Sequence, residues 1–202
     1  ILPTATVAPP TEVPTAVPTV KPSATATPAP VAQVITSKNA AGLTTSRKWG
    51  AGTIRKVDLS PDETKLLVGT SQGLWLFDAA NLKTLWKSIT RFAVRDAAFS
   101  PDGKTIAAVG DTNGVTLWDA ATGSAIKTLF GHSDWLTAVD FSSTGLLATG
   151  GWDKTIIIWD MATGNPIHKI SAHTDLVNSV RFSGDGKLLV SGSRDMFVKV
   201  WD

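Results

Sequence analysis

Two sets of side chains in this sequence contain the residue types of a catalytic triad. Each set has a histidine, a hydroxyl residue and an aspartate, and the members are His132, Thr149 and Asp153 in one set and His173, Ser191 and Asp195 in the other. A histidine between a carboxylate and a hydroxyl can act as the general base that activates the hydroxyl as a nucleophile. The corresponding members are 41, 42 and 42 residues apart. One active site needs one triad, so a set that is repeated in register favours a structural role over catalysis.

The same spacing recurs in four aromatic–Asp pairs, each of which ends a short apolar run. The four segments are LWLFD, VTLWD, IIIWD and VKVWD, which end at Asp78, Asp119, Asp160 and Asp202. Successive aspartates are 41, 41 and 42 residues apart. Turn-forming clusters such as SPDE, SPDG and SGDG separate further strand-like runs, and no helical period is present. Each unit is therefore predicted to contain four short β-strands joined by tight turns.

A four-stranded repeat of this length that ends in Trp-Asp resembles the WD-repeat β-propeller family. Gly131-His132 matches the Gly-His signature of that family, and His173 matches its histidine. The resemblance implies an all-β fold in which residues 43–202 form about four blades, each a four-stranded antiparallel sheet. Complete propellers typically have about four to eight blades, and an open stack would expose strand edges and apolar blade faces. We therefore expect an incomplete ring, with more repeats after Asp202.

The resemblance also implies a role for the triad-like sets. In blades of this family, the aspartate accepts a hydrogen bond from the histidine, which contacts the hydroxyl, which in turn contacts the tryptophan indole. The expected structural networks are His132, Thr149, Asp153 and Trp159 in the third unit and His173, Ser191, Asp195 and Trp201 in the fourth. A connected network satisfies its buried polar groups and rigidifies the blade. The second unit keeps Trp118 but lacks the other members, and the first has Phe77 in place of the tryptophan.

Other kinds of site have little support in the sequence. The GKT segment at 103–105 lacks the glycine that a phosphate-binding loop needs five residues earlier, where the chain has Ala98. His168 and His173 have no third metal ligand, and the absence of cysteine excludes thiolates. The net charge is +2 without a basic cluster, which does not support nucleic-acid binding. We therefore predict no catalytic residue, no metal site and no cofactor.

Residues 1–42 differ in composition from the repeats. They contain eight of the eleven prolines and no aromatic residue, and only Glu12, Lys21 and Lys38 are charged. Such a segment buries too little apolar surface to offset its conformational entropy, so we predict a disordered Pro/Thr/Ala-rich linker. Linkers of this kind resemble those of bacterial secreted or cell-surface proteins. No apolar run in the chain reaches the roughly 20 residues of a membrane span.

If the repeated residues are scaffold, function lies on the loops that differ between units. The positions three residues after the histidine slot and just before the aspartate slot vary from unit to unit. Trp and Arg are enriched at interface hot spots. The alternative is that Trp135 only covers a blade edge and Trp152 only packs on its neighbour. The candidates for the partner-binding surface are Trp135, Trp152, Arg194, Asp111 and Leu176.

The predicted function is a non-catalytic scaffold that presents a rigid surface to a protein or peptide partner. One alternative is a sensor or regulatory domain of a larger bacterial signalling protein, such as a receptor kinase. A kinase or a membrane span encoded upstream of Ile1 would favour it. The other alternative is a propeller hydrolase, which would need unrepeated histidines or carboxylates that converge on the central channel.

Overall fold

A computed structural model describes residues 52–202, which form fifteen β-strands in four antiparallel sheets. The predicted linker, residues 1–42, and residues 43–51 of the predicted repeat region lie outside the described residues. Within the described range, no helix has the length and apolar character that a bilayer crossing requires. The all-β prediction is therefore confirmed for residues 52–202.

Each sheet forms one blade, in which the strands follow one another in chain order. Blades 1 to 3 have four strands and blade 4 has three within residues 52–202. The strands are β1 (Ile54–Leu59), β2 (Lys65–Thr70), β3 (Gly73–Asp78), β4 (Thr84–Ile89), β5 (Val94–Phe99), β6 (Thr105–Gly110), β7 (Gly114–Asp119), β8 (Ala125–Phe130), β9 (Leu136–Phe141), β10 (Leu146–Gly151), β11 (Thr155–Asp160), β12 (Pro166–Ser171), β13 (Val177–Phe182), β14 (Leu189–Ser193) and β15 (Val198–Trp201). The first strands of successive blades, β1, β5, β9 and β13, contact one another. These strands therefore line the centre of the propeller.

Aspartate side chains close the tight turns between the strands. After the third strand of blades 1 to 3, Asp78, Asp119 and Asp160 each accept a hydrogen bond from the backbone N–H two residues further along. After the first strand of blade 2, the Ser100 hydroxyl donates to Asp102 at 2.6 Å. Short polar side chains that bond to nearby backbone favour turns over continued strand. The aspartate of each aromatic–Asp pair in blades 1 to 3 therefore ends its strand.

The hydrophobic core is divided among the interfaces between neighbouring blades. Side chains alternate between the two faces of a strand, so a middle blade contributes to two interfaces. Ala108 packs between blades 1 and 2, whereas its neighbour Ala107 packs between blades 2 and 3. In blade 3, Ile157 packs between blades 2 and 3, and its neighbour Ile156 packs between blades 3 and 4. Burial on both faces explains why a strand such as IIIWD is apolar throughout rather than alternating.

Charged side chains on the first strands join successive blades at the centre of the propeller. Lys56 Nζ of blade 1 is 2.9 Å from Asp96 Oδ1 of blade 2. Asp96 Oδ2 accepts the backbone N–H of Val139 in blade 3 at 3.0 Å, and Asp140 of blade 3 accepts that of Phe182 in blade 4 at 2.7 Å. The first strand of each blade has one edge without a neighbouring strand. These carboxylates satisfy N–H groups on that edge and also fix the register between blades.

The two end blades expose surfaces that the middle blades bury. Val198 and Val200 of blade 4 are 72% and 63% exposed, whereas their equivalents in blade 3, Ile156 and Ile158, are 0% and 8% exposed beneath blade 4. The opposite face of blade 1 exposes Val57 in the same way. Both end faces therefore have the apolar pattern of a blade interface without a neighbouring blade among residues 52–202. This arrangement agrees with the predicted incomplete ring.

Candidate functional site

Blade 3 contains a continuous hydrogen-bond network formed by His132, Thr149, Asp153 and Trp159. His132 Nδ1 is 2.9 Å from Asp153 Oδ2, and His132 Nε2 is 2.8 Å from Thr149 Oγ1. Trp159 Nε1 donates to Thr149 Oγ1 at 2.9 Å. With the imidazole proton on Nδ1, the indole donates to the hydroxyl, the hydroxyl donates to Nε2 and Nδ1–H donates to the carboxylate. Each polar group then has a partner of the opposite kind.

Asp153 lies in the turn between β10 and β11 and accepts hydrogen bonds from three residues. In addition to His132, its oxygens accept the backbone N–H groups of Ser133 and Thr155 and the hydroxyl of Thr155. Burial alone would raise the pKa of this carboxyl group. The hydrogen bonds and the neighbouring His132 outweigh burial and hold the pKa of Asp153 well below its usual value. Asp153 is therefore a carboxylate across the physiological range.

Blade 4 repeats the arrangement with a serine as its hydroxyl residue. His173 lies 2.9 Å from Asp195 Oδ2 through Nδ1 and 2.8 Å from Ser191 Oγ through Nε2. Trp201 Nε1 donates to Ser191 Oγ at 2.9 Å. Burial raises the pKa of Asp195, but hydrogen bonds, of which the strongest come from the Thr174 and Phe197 backbone, lower it well below its usual value. The two networks therefore have the same connectivity and the same carboxylate state.

The networks bury the hydroxyl groups that a catalytic triad would present to a substrate. Thr149 and Ser191 are both 0% exposed, and each oxygen already accepts an indole N–H. A nucleophile has to reach the reacting carbon of its substrate, and neither hydroxyl can do so from these positions. The geometry is suited to cross-linking the strands of a blade. Among residues 52–202, no three His, Asp or Glu side chains are grouped in a way that could hold a metal ion.

Blade 2 contains the tryptophan of the network without its hydrogen-bond acceptor. Ala108 pairs with Thr116 in the sheet as Thr149 pairs with Ile157, so alanine stands in the hydroxyl position of blade 2. The buried Nε1 of Trp118 consequently has no hydrogen-bond partner within the described residues. Blade 2 therefore depends on strand pairing and apolar packing where blades 3 and 4 have a polar network.

The candidate partner-binding residues lie in four matching pairs, which we call the rim pairs. In each pair, a residue in the turn between the second and third strands donates its backbone N–H to the carbonyl of a residue just before the first strand. The rim pairs are Ser71 with Thr53, Asp111 with Ala93, Trp152 with Trp135, and Arg194 with Leu176. The backbone frame is thus the same in every blade while the side chains differ. The two pairs of blades 3 and 4 together contain four of the five predicted candidates, and the fifth, Asp111, belongs to the pair of blade 2.

Arg95 links the rim pair of blade 3, Trp135 and Trp152, to Asp111 of blade 2. The Trp135 and Trp152 rings are 5.5 Å apart at an interplanar angle of 59°, and they are 42% and 40% exposed. The Arg95 guanidinium carbon lies 5.6 Å from the Trp135 ring centroid and 5.9 Å from that of Trp152, within the range of cation–π contact. Arg95 Nε also donates to Asp111 Oδ1 in a short ion pair. We call these four residues the Trp–Arg cluster.

The structure therefore brings three of the five predicted residues together and leaves the other two apart. Leu176 is half-buried and Arg194 is exposed, and no hydrogen bond or ring contact among residues 52–202 joins them to the Trp–Arg cluster. Sequence reasoning missed Arg95, which occupies the second position of β5. The available signal was the charged pair Arg95-Asp96 in a strand whose other residues are all apolar.

Four antiparallel blades whose first strands meet at a common centre define a β-propeller. The family model described as "WD domain, G-beta repeat" matches residues 83–119, 123–160 and 164–202, which together make up more than half of the 202-residue chain. The chain belongs to this WD40 family, and the predicted resemblance is confirmed. The matched ranges leave out β1 to β3, although these strands have the same order and pairing as those of the later blades.

Two curated relatives contain the same kind of repeat. An uncharacterized WD repeat-containing protein of Synechocystis sp. is 31% identical over 63% of this chain and 37% of its own length. The probable serine/threonine-protein kinase PkwA of Thermomonospora curvata is 33% identical over 54% of this chain and 14% of its own length. The chain therefore spans a minor part of both relatives.

Two solved propellers have the same fold as this chain. The WD40 β-propeller domain of Doa1 aligns with a TM-score of 0.65 at 22% identity, covering 73% of this chain and 50% of that structure. U3-55K aligns with a TM-score of 0.70 at 19% identity, covering 76% of this chain and 50% of that structure. At these identities the likeness concerns the fold alone, and it spans half of each solved chain.

Proposed function

We propose that this chain is a non-catalytic interaction module that binds a protein or peptide partner through the rim pairs, with Trp135 and Trp152 at the centre of the contact. The observation that carries the proposal is a pair of half-exposed indoles on a backbone frame that repeats in every blade. Tryptophan supplies a large, rigid contact area and is enriched at binding hot spots. Membership of the WD40 family supports a scaffold role in general.

The buried networks favour binding over catalysis. The only repeated sets of triad-like residues among residues 52–202 have their hydroxyl groups inside the blades. Their histidines and carboxylates bond to one another and to strand backbone, so these groups are occupied by the scaffold. A propeller hydrolase would need other residues. Of the first-strand carboxylates, Asp96 and Asp140 are bonded to neighbouring blades, and Asp58 is half-buried with Lys56 and Arg181 as its positively charged neighbours.

The test is affinity capture with the full-length protein expressed in its own host. The variant Trp135→Ala/Trp152→Ala removes the exposed indoles. The matched control Ile126→Ala/Ile167→Ala removes exposed apolar side chains from the outer strands β8 and β12, where they are 55% and 47% exposed. Captured proteins are quantified by mass spectrometry after circular dichroism has shown that both variants are folded.

We expect at least one captured protein to be lost from the tryptophan variant and retained by the control. Equal recovery of every captured protein by the native chain and both variants would contradict the proposal. A second variant, Trp152→Glu, places a charge on the same surface and keeps the test decisive if the alanine variant is unstable.

A second candidate function is a regulatory domain of a larger signalling protein. The observation that favours it is the likeness to PkwA, a probable serine/threonine-protein kinase, of which this chain spans 14%. The open reading frame that encodes this chain would contain a kinase domain in that case. The Trp135→Ala/Trp152→Ala variant would then have a changed kinase activity in the full-length protein. Unchanged kinase activity would exclude a regulatory role for this surface.

A further inference from the structure

The guanidinium group of the Trp–Arg cluster is held in place, but only one of its nitrogen atoms is hydrogen-bonded within residues 52–202. Arg95 donates from Nε to Asp111, and its side chain is 24% exposed. The terminal Nη atoms of Arg95 have no hydrogen-bond partner among residues 52–202. The contacts with both indoles and the ion pair with Asp111 restrict the side chain to one position. The ordering cost that a binding arginine normally incurs has therefore been met before a partner arrives.

The surroundings of Arg95 select the charge of the group that it can bind. A cationic ligand would meet the positive guanidinium, which already occupies the cation–π position at both indole rings. A carboxylate matches the planar fork of guanidinium N–H donors and can accept two parallel hydrogen bonds. Asp111 beside the guanidinium, and Asp134, whose carboxylate accepts the Trp135 backbone N–H at 2.7 Å, would repel a dianion more than a monoanion.

The indoles add a requirement for apolar contact next to the carboxylate. Both rings contact the guanidinium and are partly exposed, so a ligand that reaches Arg95 also contacts Trp135 or Trp152. Desolvation by an apolar neighbour strengthens the ion pair, because the effective dielectric constant falls when water is excluded. A carboxylate with an adjacent aromatic or aliphatic side chain fits both parts of the cluster.

We propose that the Trp–Arg cluster is a subsite for a carboxylate flanked by apolar side chains, so that the partner of this surface presents an acidic peptide segment. The proposal rests on the partner-binding function given above and specifies its chemistry. Arg95 supplies the charge and the paired donors, Asp111 and the indoles position Arg95, and the exposed indole edges contact the apolar neighbours. The side chain recognised is that of glutamate or aspartate.

The test uses the full chain and three peptides that differ in one side chain. The probes are acetyl-Phe-Glu-Phe-amide and its Gln and phosphoserine analogues, titrated against the ¹⁵N-labelled protein. The readout is the chemical shift of the indole Nε1–H signals of Trp135 and Trp152, which are assigned as the signals missing from Trp135→Phe and Trp152→Phe. Arg95→Lys keeps the charge and removes the planar fork. Arg55→Lys, at the same position of β1, is the matched control.

We expect the Glu peptide to shift both indole signals and to bind about tenfold more tightly than the Gln peptide, the effect of one charge-assisted bidentate contact. Arg95→Lys is expected to remove most of this preference, and Arg55→Lys to preserve it. Equal affinity for the Glu and Gln peptides, tighter binding of the phosphoserine peptide, or no shift at millimolar peptide would overturn the proposal.

The two proposals fail in different ways. If the tryptophan variant loses its captured proteins while the peptides show no preference for Glu, the binding surface stands and its acidic specificity is wrong. If the peptides show the preference while capture is unchanged by the tryptophan variant, the subsite exists but is not the surface that holds the captured proteins.

Discussion

Replacement of Asp153 by alanine tests whether the network of blade 3 stabilises the fold. The change removes one acceptor from four donors: His132 Nδ1–H, the Ser133 and Thr155 backbone N–H groups and the Thr155 hydroxyl. It leaves the strands and the apolar core of the blade in place. The loss of stability therefore reports on the polar network alone.

The expected cost depends on which of these donors can reach water. The His132 side chain is 0% exposed, so its Nδ1–H loses the carboxylate and keeps only the Thr155 hydroxyl, 3.3 Å away, as an acceptor, at a cost of about 1–3 kcal/mol. Ser133 is exposed and Thr155 is half-buried, so each backbone N–H can exchange its bond for one to water at about 0.5–1 kcal/mol. We expect the free energy of unfolding to fall by about 3 kcal/mol, the sum of these contributions.

The assay is equilibrium unfolding in urea, followed by far-UV circular dichroism, together with exchange of the Trp159 indole proton. Asp160→Ala is the matched control, since Asp160 ends the same strand and accepts the Ala162 N–H and Thr163 hydroxyl in an exposed turn. We expect the control to cost clearly less, because hydrogen bonds in an exposed turn can be replaced by bonds to water. A loss of stability in Asp153→Ala that is no larger than that of the control would refute the structural account of the network.

Two further predictions concern the missing and the titratable members of these networks. Ala108→Ser is expected to raise the free energy of unfolding by about 1 kcal/mol, because the new hydroxyl can accept the unpaired Nε1–H of Trp118. An unchanged urea midpoint and unchanged exchange of the Trp118 indole proton would contradict it. Folding lowers the pKa of both Asp153 and Asp195, so the stabilisation that they supply is complete above the unfolded pKa of about 3.9 and is lost as pH falls through the folded pKa. The contribution of these two carboxylates to the urea midpoint should therefore be steady from pH 7 to about pH 5 and decrease below it. The Asp153→Asn/Asp195→Asn variant should show a shallower fall of the midpoint below about pH 5; an identical slope would argue against these two groups.

The repeated part of the fold could be predicted from the sequence because every repeat has the same pattern of apolar strands and turn-forming residues. Asp78, Asp119 and Asp160 close equivalent turns, and the apolar runs before them are buried on both faces. Four aromatic–Asp segments at nearly equal spacing are strong evidence for a repeat, whereas a single Trp-Asp pair would be none. The connections between blades could not be predicted in this way. The bond from Asp96 to Val139 joins residues 43 positions apart, and no local pattern indicates it.

The candidate binding surface was only partly predictable for the same reason. Trp135 and Trp152 were identified because they occupy variable slots of a repeated loop, and the backbone bond between them is the one that every blade makes. Arg95 lies on a first strand, a segment that repeat comparison assigns to the scaffold. In blade 3 the hydroxyl of the equivalent residue, Thr137, bonds to backbone carbonyls, that of Gly150 in its own blade and that of Val177 in blade 4. The same position thus has a guanidinium that contacts side chains in blade 2 and a hydroxyl that contacts backbone in blade 3.

The contacts of Arg95 with the next blade determine its role. Its guanidinium contacts two indoles from blade 3, and its ion-pair partner Asp111 comes from blade 2. A substitution of either tryptophan should therefore weaken the positioning of Arg95, which keeps its ion pair with Asp111, without any change in its own blade. A binding site on a propeller of this kind belongs to the junction between two repeats, so a residue must be compared with the slots of the next repeat as well as with its equivalents in the others.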